Sequence, residues 1–107
     1  MTHLEIMITD TVDVFRLTRT GDKETYGVSP VITGLRCQII PATNDILAVY
    51  PDIPAYQLFE IYCFKNVEIK NGDKFKSGSI EYIVRGLAQS VDNKYMTYQR
   101  IVGEKVV

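Results

Sequence analysis

Apolar and polar residues alternate with a period of two over much of this chain, the pattern left by strands that bury one face. Gly34 to Ile40 shows it most cleanly, with Leu35, Cys37 and Ile39 on one side. Val12 to Arg19 (VDVFRLTR) predicts an earlier strand, the polar TGDKETYG at 20–27 a loop, and Tyr56 to Phe64 a further strand. Glu68-Ile69-Lys70 leads into a turn at Asn71-Gly72. Beyond it, Lys74 to Lys76 reads as a short strand, Ile80 to Leu87 as a long one and Tyr95 to Val102 as the last. Asn71-Gly72 and Gly78 supply residues that tolerate positive φ, so VEIKNGDKFKSGSIEYIVRGL at 67–87 predicts a twisted hairpin.

Roughly six or seven short strands separated by turns would leave exposed edges unless the sheet closed on itself. The expected fold is therefore all-β: a small closed or partly closed antiparallel β-barrel with one long loop at about 41–55, built as a single domain over residues 1–107.

That loop, PATNDILAVYPDIPA, is far longer than the two to five residues of an ordinary hairpin connection, and such connections are more often functional than incidental. Thr43 or Asn44 can cap one short helical turn ending before Pro51. Two readings stand side by side. The loop folds back to plug a barrel end with Ile46, Leu47 and Tyr50, or it projects as an arm whose apolar residues meet a partner. The candidate channel or partner residues are Thr43, Asn44, Asp45, Ile46, Leu47, Val49, Tyr50, Pro51, Asp52, Ile53 and Pro54. The strand that follows is apolar on both faces, with Leu58, Tyr62 and Phe64 on one and Phe59, Ile61 and Cys63 on the other. Its second face packs under the loop or against another subunit.

Composition narrows the functional classes. With 46% hydrophobic and 23% charged residues the chain matches a soluble globular protein, and no apolar run approaches a membrane span. The start, MTHLEIMITD, does not resemble a secretory signal, so synthesis and folding in the cytoplasm are expected. A net charge of −1 argues against a domain devoted to neutralising phosphates. The denser basic stretches, Arg16 to Lys23 and Lys65 to Lys76, are interrupted by acids and read as solvated faces, with a nucleic-acid patch as the alternative.

Cys37 and Cys63 lie within strands on the apolar side and read as buried thiols. Their spacing fits no zinc site, and His3 stands alone near one end. No nucleophile has a base within its pattern, and Gly72 and Gly78 lack the spacing of a phosphate-binding loop. No metal, no cofactor and no enzymatic activity are expected.

The order GLRCQIIP at 34–41, a long loop, YQLFEIYCF at 56–64, the 67–87 hairpin and a final strand resembles the head-closure or stopper proteins of long-tailed bacteriophages, also called head-tail connectors or adaptors. The resemblance covers roughly residues 10–103. Its specific part is the combined spacing of Ile40-Pro41, the loop, the VEIKNGD turn and the EYIVRG strand.

It implies a barrel that is monomeric before assembly and joins a closed ring of about twelve copies. The implied partners are portal or adaptor ring proteins, tail-tube or tail-completion proteins, and the double-stranded DNA in the channel, with no membrane. The implied location is the head-tail interface of the virion, after synthesis in the bacterial cytoplasm. In that family the long loop points into the channel, matching about Thr43 to Pro54, although three prolines stiffen it here. Small tail-completion proteins share related barrels.

The competing class is a barrel module that binds nucleic acid or a peptide. Tyr82, Tyr95 and Tyr98 interleave with Lys74, Lys76, Arg85, Lys94 and Arg100, as base-stacking platforms require.

Overall fold

The structure, a computed structural model, describes residues 10–64, 67–92 and 97–107. Among the described residues eight strands form: β1 (Asp10–Phe15), β2 (Leu17–Thr20), β3 (Lys23–Tyr26), β4 (Ile32–Pro41), β5 (Leu58–Phe64), β6 (Lys74–Ser77), β7 (Ile80–Asp92) and β8 (Thr97–Lys105). Six of them close an antiparallel barrel in the order β1-β4-β5-β8-β7-β6, with β6 returning to β1, while β2 and β3 form a separate two-stranded ribbon. The expected all-β barrel is what the chain builds.

The interior is filled from alternate positions. Val12, Val14, Leu35, Cys37, Ile61, Cys63, Phe75, Tyr82, Val84 and Ile101 pack as one cluster, with Ile39 and Phe59 beside it. Cys37 and Cys63 face each other across the β4–β5 ladder, both free and fully buried, so the apolar reading of the thiols holds.

Strand boundaries differ from the expectation at several places: β5 starts at Leu58, β7 runs on to Asp92 and β8 to Lys105, and the largest departure is at the start of the chain. The predicted strand Val12 to Arg19 breaks at Arg16, and the polar stretch expected as a loop contains β3, paired with β2 from Leu17↔Tyr26 to Thr20↔Lys23. The ribbon is mostly exposed on both faces, so burial imposed no alternation that the sequence could display. Arg16 turns to the carboxylate of Asp73, donating from Nε to Oδ1 at 3.2 Å and from Nη2 to Oδ2 at 3.0 Å. The basic stretch beginning at Arg16 is therefore not wholly a solvated face. Tyr95 and Lys94 lie outside the described residues.

Glu68 to Lys70 does not pair as a strand. It enters a tight turn closed by the Asp73 N–H on the Lys70 carbonyl at 3.0 Å, and the hairpin proper joins β6 to β7. Gly72 has φ +89, and a Cβ built there would lie 3.5 Å from a Leu17 methyl. Space is available, but a β-branched residue in that backbone conformation is strained. Gly72→Val is expected to lower stability by about 1–3 kcal/mol in urea titration, and an unchanged midpoint would refute it.

Candidate functional site

The long connection between β4 and β5 folds onto the outside of the barrel wall. Its centre is a short helix, α1 (Asn44–Val49), preceded by Thr43 in extended conformation and ended at Tyr50 before Pro51; a 3-10 turn, Ala55–Gln57, then leads into β5. Both Thr43 and the Pro51 boundary agree with the sequence reading. The Thr43 side chain makes no cap bond; instead its backbone N–H donates to Glu60 Oε2 at 2.8 Å.

Strand parity explains what lies beneath α1. Odd residues of β5 point inward, so Leu58, Glu60, Tyr62 and Phe64 face out, aligned in register with Glu104, Val102, Arg100 and Tyr98 of β8. Ile46 packs on Leu58 and Val102 to make a second small core, flanked by Ala42, Leu47, Tyr50 and Ile53. The second apolar face of β5 thus packs under the connection at Leu58. Ile46, Leu47 and Tyr50 do not join the interior cluster at a barrel end; they pack in the separate cluster on Leu58 and Val102 and cover the outer wall. Tyr50 reaches as far as β7, where its hydroxyl lies 2.5 Å from the place a Cβ would take on Gly86, so glycine at 86 makes room for that seat.

The other candidates on the connection point away. Thr43, Asn44, Asp45, Val49, Pro51, Asp52 and Pro54 are exposed, and Val49 and the neighbouring Tyr56 keep 67% and 72% of their surface in solvent. Between the connection and the wall lies an open cleft of about 380 Å3, lined by Tyr50, Asp52, Ile53, Arg85 and Glu104. Its floor carries an ion pair, Arg85 Nη2 to Glu104 Oε1 at 2.6 Å, at a register shift in the β7–β8 ladder.

A buried polar cluster missed by the sequence reading anchors this arrangement. Glu60 is fully buried; besides the Thr43 N–H it accepts a bond from the Tyr62 hydroxyl at 3.0 Å and faces Arg100 Nη1 at 3.5 Å. Burial, reinforced by the bond to Glu60, pushes the Tyr62 hydroxyl pKa up. One signal was available: a carboxylate inside LFEIYCF, a strand apolar on both faces, must find partners to be tolerated.

Of the residues proposed as a stacking platform, Tyr82, Tyr98, Lys74, Arg85 and Arg100 are otherwise engaged, Lys76 is exposed, and Tyr95 and Lys94 lie outside the described residues. Tyr82 faces the interior, edge-on to Phe59 at 5.4 Å, and Tyr98 packs on Tyr62 at 5.6 Å. Lys74 lies over the Tyr26 ring at 4.6 Å and pairs with Glu81 at 3.4 Å. Arg85 and Arg100 are bound to carboxylates as above. Among the described residues no set of three His, Cys, Asp or Glu is grouped as metal ligands, and no helix is long and apolar enough to cross a membrane.

Burial pushes both core thiols from 9.0 up to about 12, for Cys37 with help from nearby Cys63. A raised folded-state value means the thiols release protons more readily once unfolded. Their contribution is therefore complete below pH 9 and is lost as pH climbs toward about 12. Tyr26, Tyr62 and Tyr82, also raised by burial, act in the same direction. Stability is expected to be flat near neutrality and to fall across that alkaline window in pH-dependent urea titrations. Iodoacetamide should modify neither thiol at neutral pH until denaturant is added; rapid native-state alkylation would contradict the buried placement.

Fold and site together define a small six-stranded antiparallel barrel carrying one long, externally docked connection. No protein-family model matches the sequence, nor does any curated protein. Among solved structures, the chain is similar to protein xkdH of the phage-like element PBSX from Bacillus subtilis, at a TM-score of 0.59 over 89% of this chain and 92% of that one. Identity is 13%, so the likeness is one of fold.

Proposed function

We propose that this chain is a non-enzymatic structural protein of a tailed-bacteriophage particle that joins the portal or adaptor complex of the head to the tail and helps retain packaged DNA. The observation that carries the reading is the shared barrel, which aligns with nearly the full length of a protein from a phage-like element. The order of motifs from Gly34 to Leu87 supports the same assignment. In this reading the protein adds to a ring at the portal vertex, and the exposed side of residues 43–54 meets a partner surface within that assembly. A near-neutral chain suits such a passage, because a strongly basic lining would hold the genome. Ring symmetry lets individually weak contacts sum once a template presents many sites.

The test is electron microscopy of the purified protein mixed with portal-bearing, DNA-filled heads. Ring density at the portal vertex is expected, with the free protein sedimenting as a monomer at micromolar concentration. Density only on isolated tails would instead indicate a tail-completion protein, and no density on either would overturn the reading.

A further inference from the structure

Four exposed charges without an ion-pair partner among the described residues fall on two separate sides of the barrel, two acids on one and two bases on the other. Asp45 and Asp52 are exposed on the connection that covers the β5–β8 wall, and neither is in a salt bridge among the described residues. Val49 and Tyr56 extend the same surface with apolar area. In the strand order β1-β4-β5-β8-β7-β6, the strand three places from β8 is β1. Its flanking strands carry Arg36, exposed between buried Leu35 and Cys37, and Lys76, exposed beside buried Phe75. Register puts Arg36 beside Thr11 and Lys76 beside Asp13, and Asp13 also accepts the Gly34 N–H at 3.0 Å. Neither Arg36 nor Lys76 makes a salt bridge with a described carboxylate.

The geometry points to a head-to-tail contact between copies of this chain, in which the Asp45, Val49, Asp52 and Tyr56 surface of one copy meets the Arg36 and Lys76 surface of the next. A two-fold dimer needs one self-complementary patch; a closed ring needs two different patches facing nearly opposite ways, about 150° apart for about twelve copies. A patch over the β5–β8 wall and one around β1 lie two to three places apart in a closed order of six strands, which meets that requirement. Charge complementarity sets which patch meets which and rejects the reversed pairing. Exposed ion pairs alone are weak, so Val49 and Tyr56 add the contact area, packing against the aliphatic stems of Arg36 and Lys76. The inference names the faces of the ring proposed above and rests on that reading for the ring, but not for the pairing of the two patches.

Because all four charged residues are exposed and without ion-pair partners, their reversal leaves the fold intact, which melting curves would verify. Three variants are compared with the unaltered chain by sedimentation equilibrium from micromolar to millimolar concentration: Asp45→Lys with Asp52→Lys, Arg36→Glu with Lys76→Glu, and all four together. Each paired reversal should weaken self-association about tenfold or more, and the fourfold reversal should restore it to within about threefold. Mixing the two paired variants should also restore association, because the native contact and the reversed contact then alternate between the two. Absence of self-association at millimolar concentration, or failure of the fourfold variant to recover, would overturn the inference. Restoration in solution without density on phage heads would instead remove the phage assignment and leave the contact standing.

Discussion

Asp73→Ala should lower the stability of the chain by about 3–5 kcal/mol, because it removes one member of a desolvated ion pair and leaves the other without its partner. Asp73 is 1% exposed, and its carboxylate also accepts the Lys70 N–H at 2.9 Å. Arg16 keeps contacts to the Glu68 carbonyl at 3.0 Å and to the Glu68 carboxylate at 3.5 Å, so the loss falls short of a wholly unpaired charge. The bond to Asp73 is also what chiefly raises the Arg16 pKa. Asp73→Asn preserves an acceptor for Lys70 and should cost about half as much. Urea titrations of the two variants check the ordering; a midpoint within error of the unaltered chain for Asp73→Ala would show that the pair contributes nothing.

Glu60→Ala should be comparably severe, at about 3–5 kcal/mol. Three groups lose their partner at once: the Thr43 N–H, the Tyr62 hydroxyl and Arg100, whose Nε is already buried without a hydrogen bond. Glu60→Gln keeps the acceptor for Thr43 and should recover a substantial part. A double replacement, Glu60→Leu with Arg100→Met, removes both charges and should be milder than Glu60→Ala alone. If the single and double variants unfold at the same urea concentration, the stranded guanidinium is not the source of the loss. Hydrogen exchange at residues 43–50 should rise in Glu60→Ala before the barrel amides do, since the bond to Thr43 ties α1 to the wall.

The barrel was legible because its interior follows strict parity. Leu35, Cys37 and Ile39, and opposite them Ile61 and Cys63, all point the way the alternation says. The β2–β3 ribbon was illegible for the converse reason: Thr18, Arg19, Lys23 and Glu24 are exposed on either face, so no hydrophobic period marks them. The connection was recognised by its length and its Pro51 boundary, and the short helix was placed correctly. Where it rests was not recoverable, because Ile46 and Leu47 suit a barrel end and an outer wall equally. Only the pairing of β5 with β8, which presents Leu58 and Val102 outward together, decides between them. The Arg16–Asp73 pair spans 57 positions, beyond any local pattern.

The placement of β8 between β5 and β7 bears on how the protein is made. A ribosome releases the chain from its amino end, so β1, β4, β5, β6 and β7 all emerge before the strand that must lie between two of them. Until residues 97–105 are available, β5 and β7 each keep an unsatisfied flank, and the wall that receives α1 lacks Val102. Closure is thus held back until nearly all of this sequence has been translated, and the ladders that then form join distant segments, the kind of topology that folds in milliseconds to seconds. During that interval the unpaired flanks and exposed apolar wall are prone to aggregate, so a synonymous slowdown near codon 97 should lower soluble yield without changing the finished molecule.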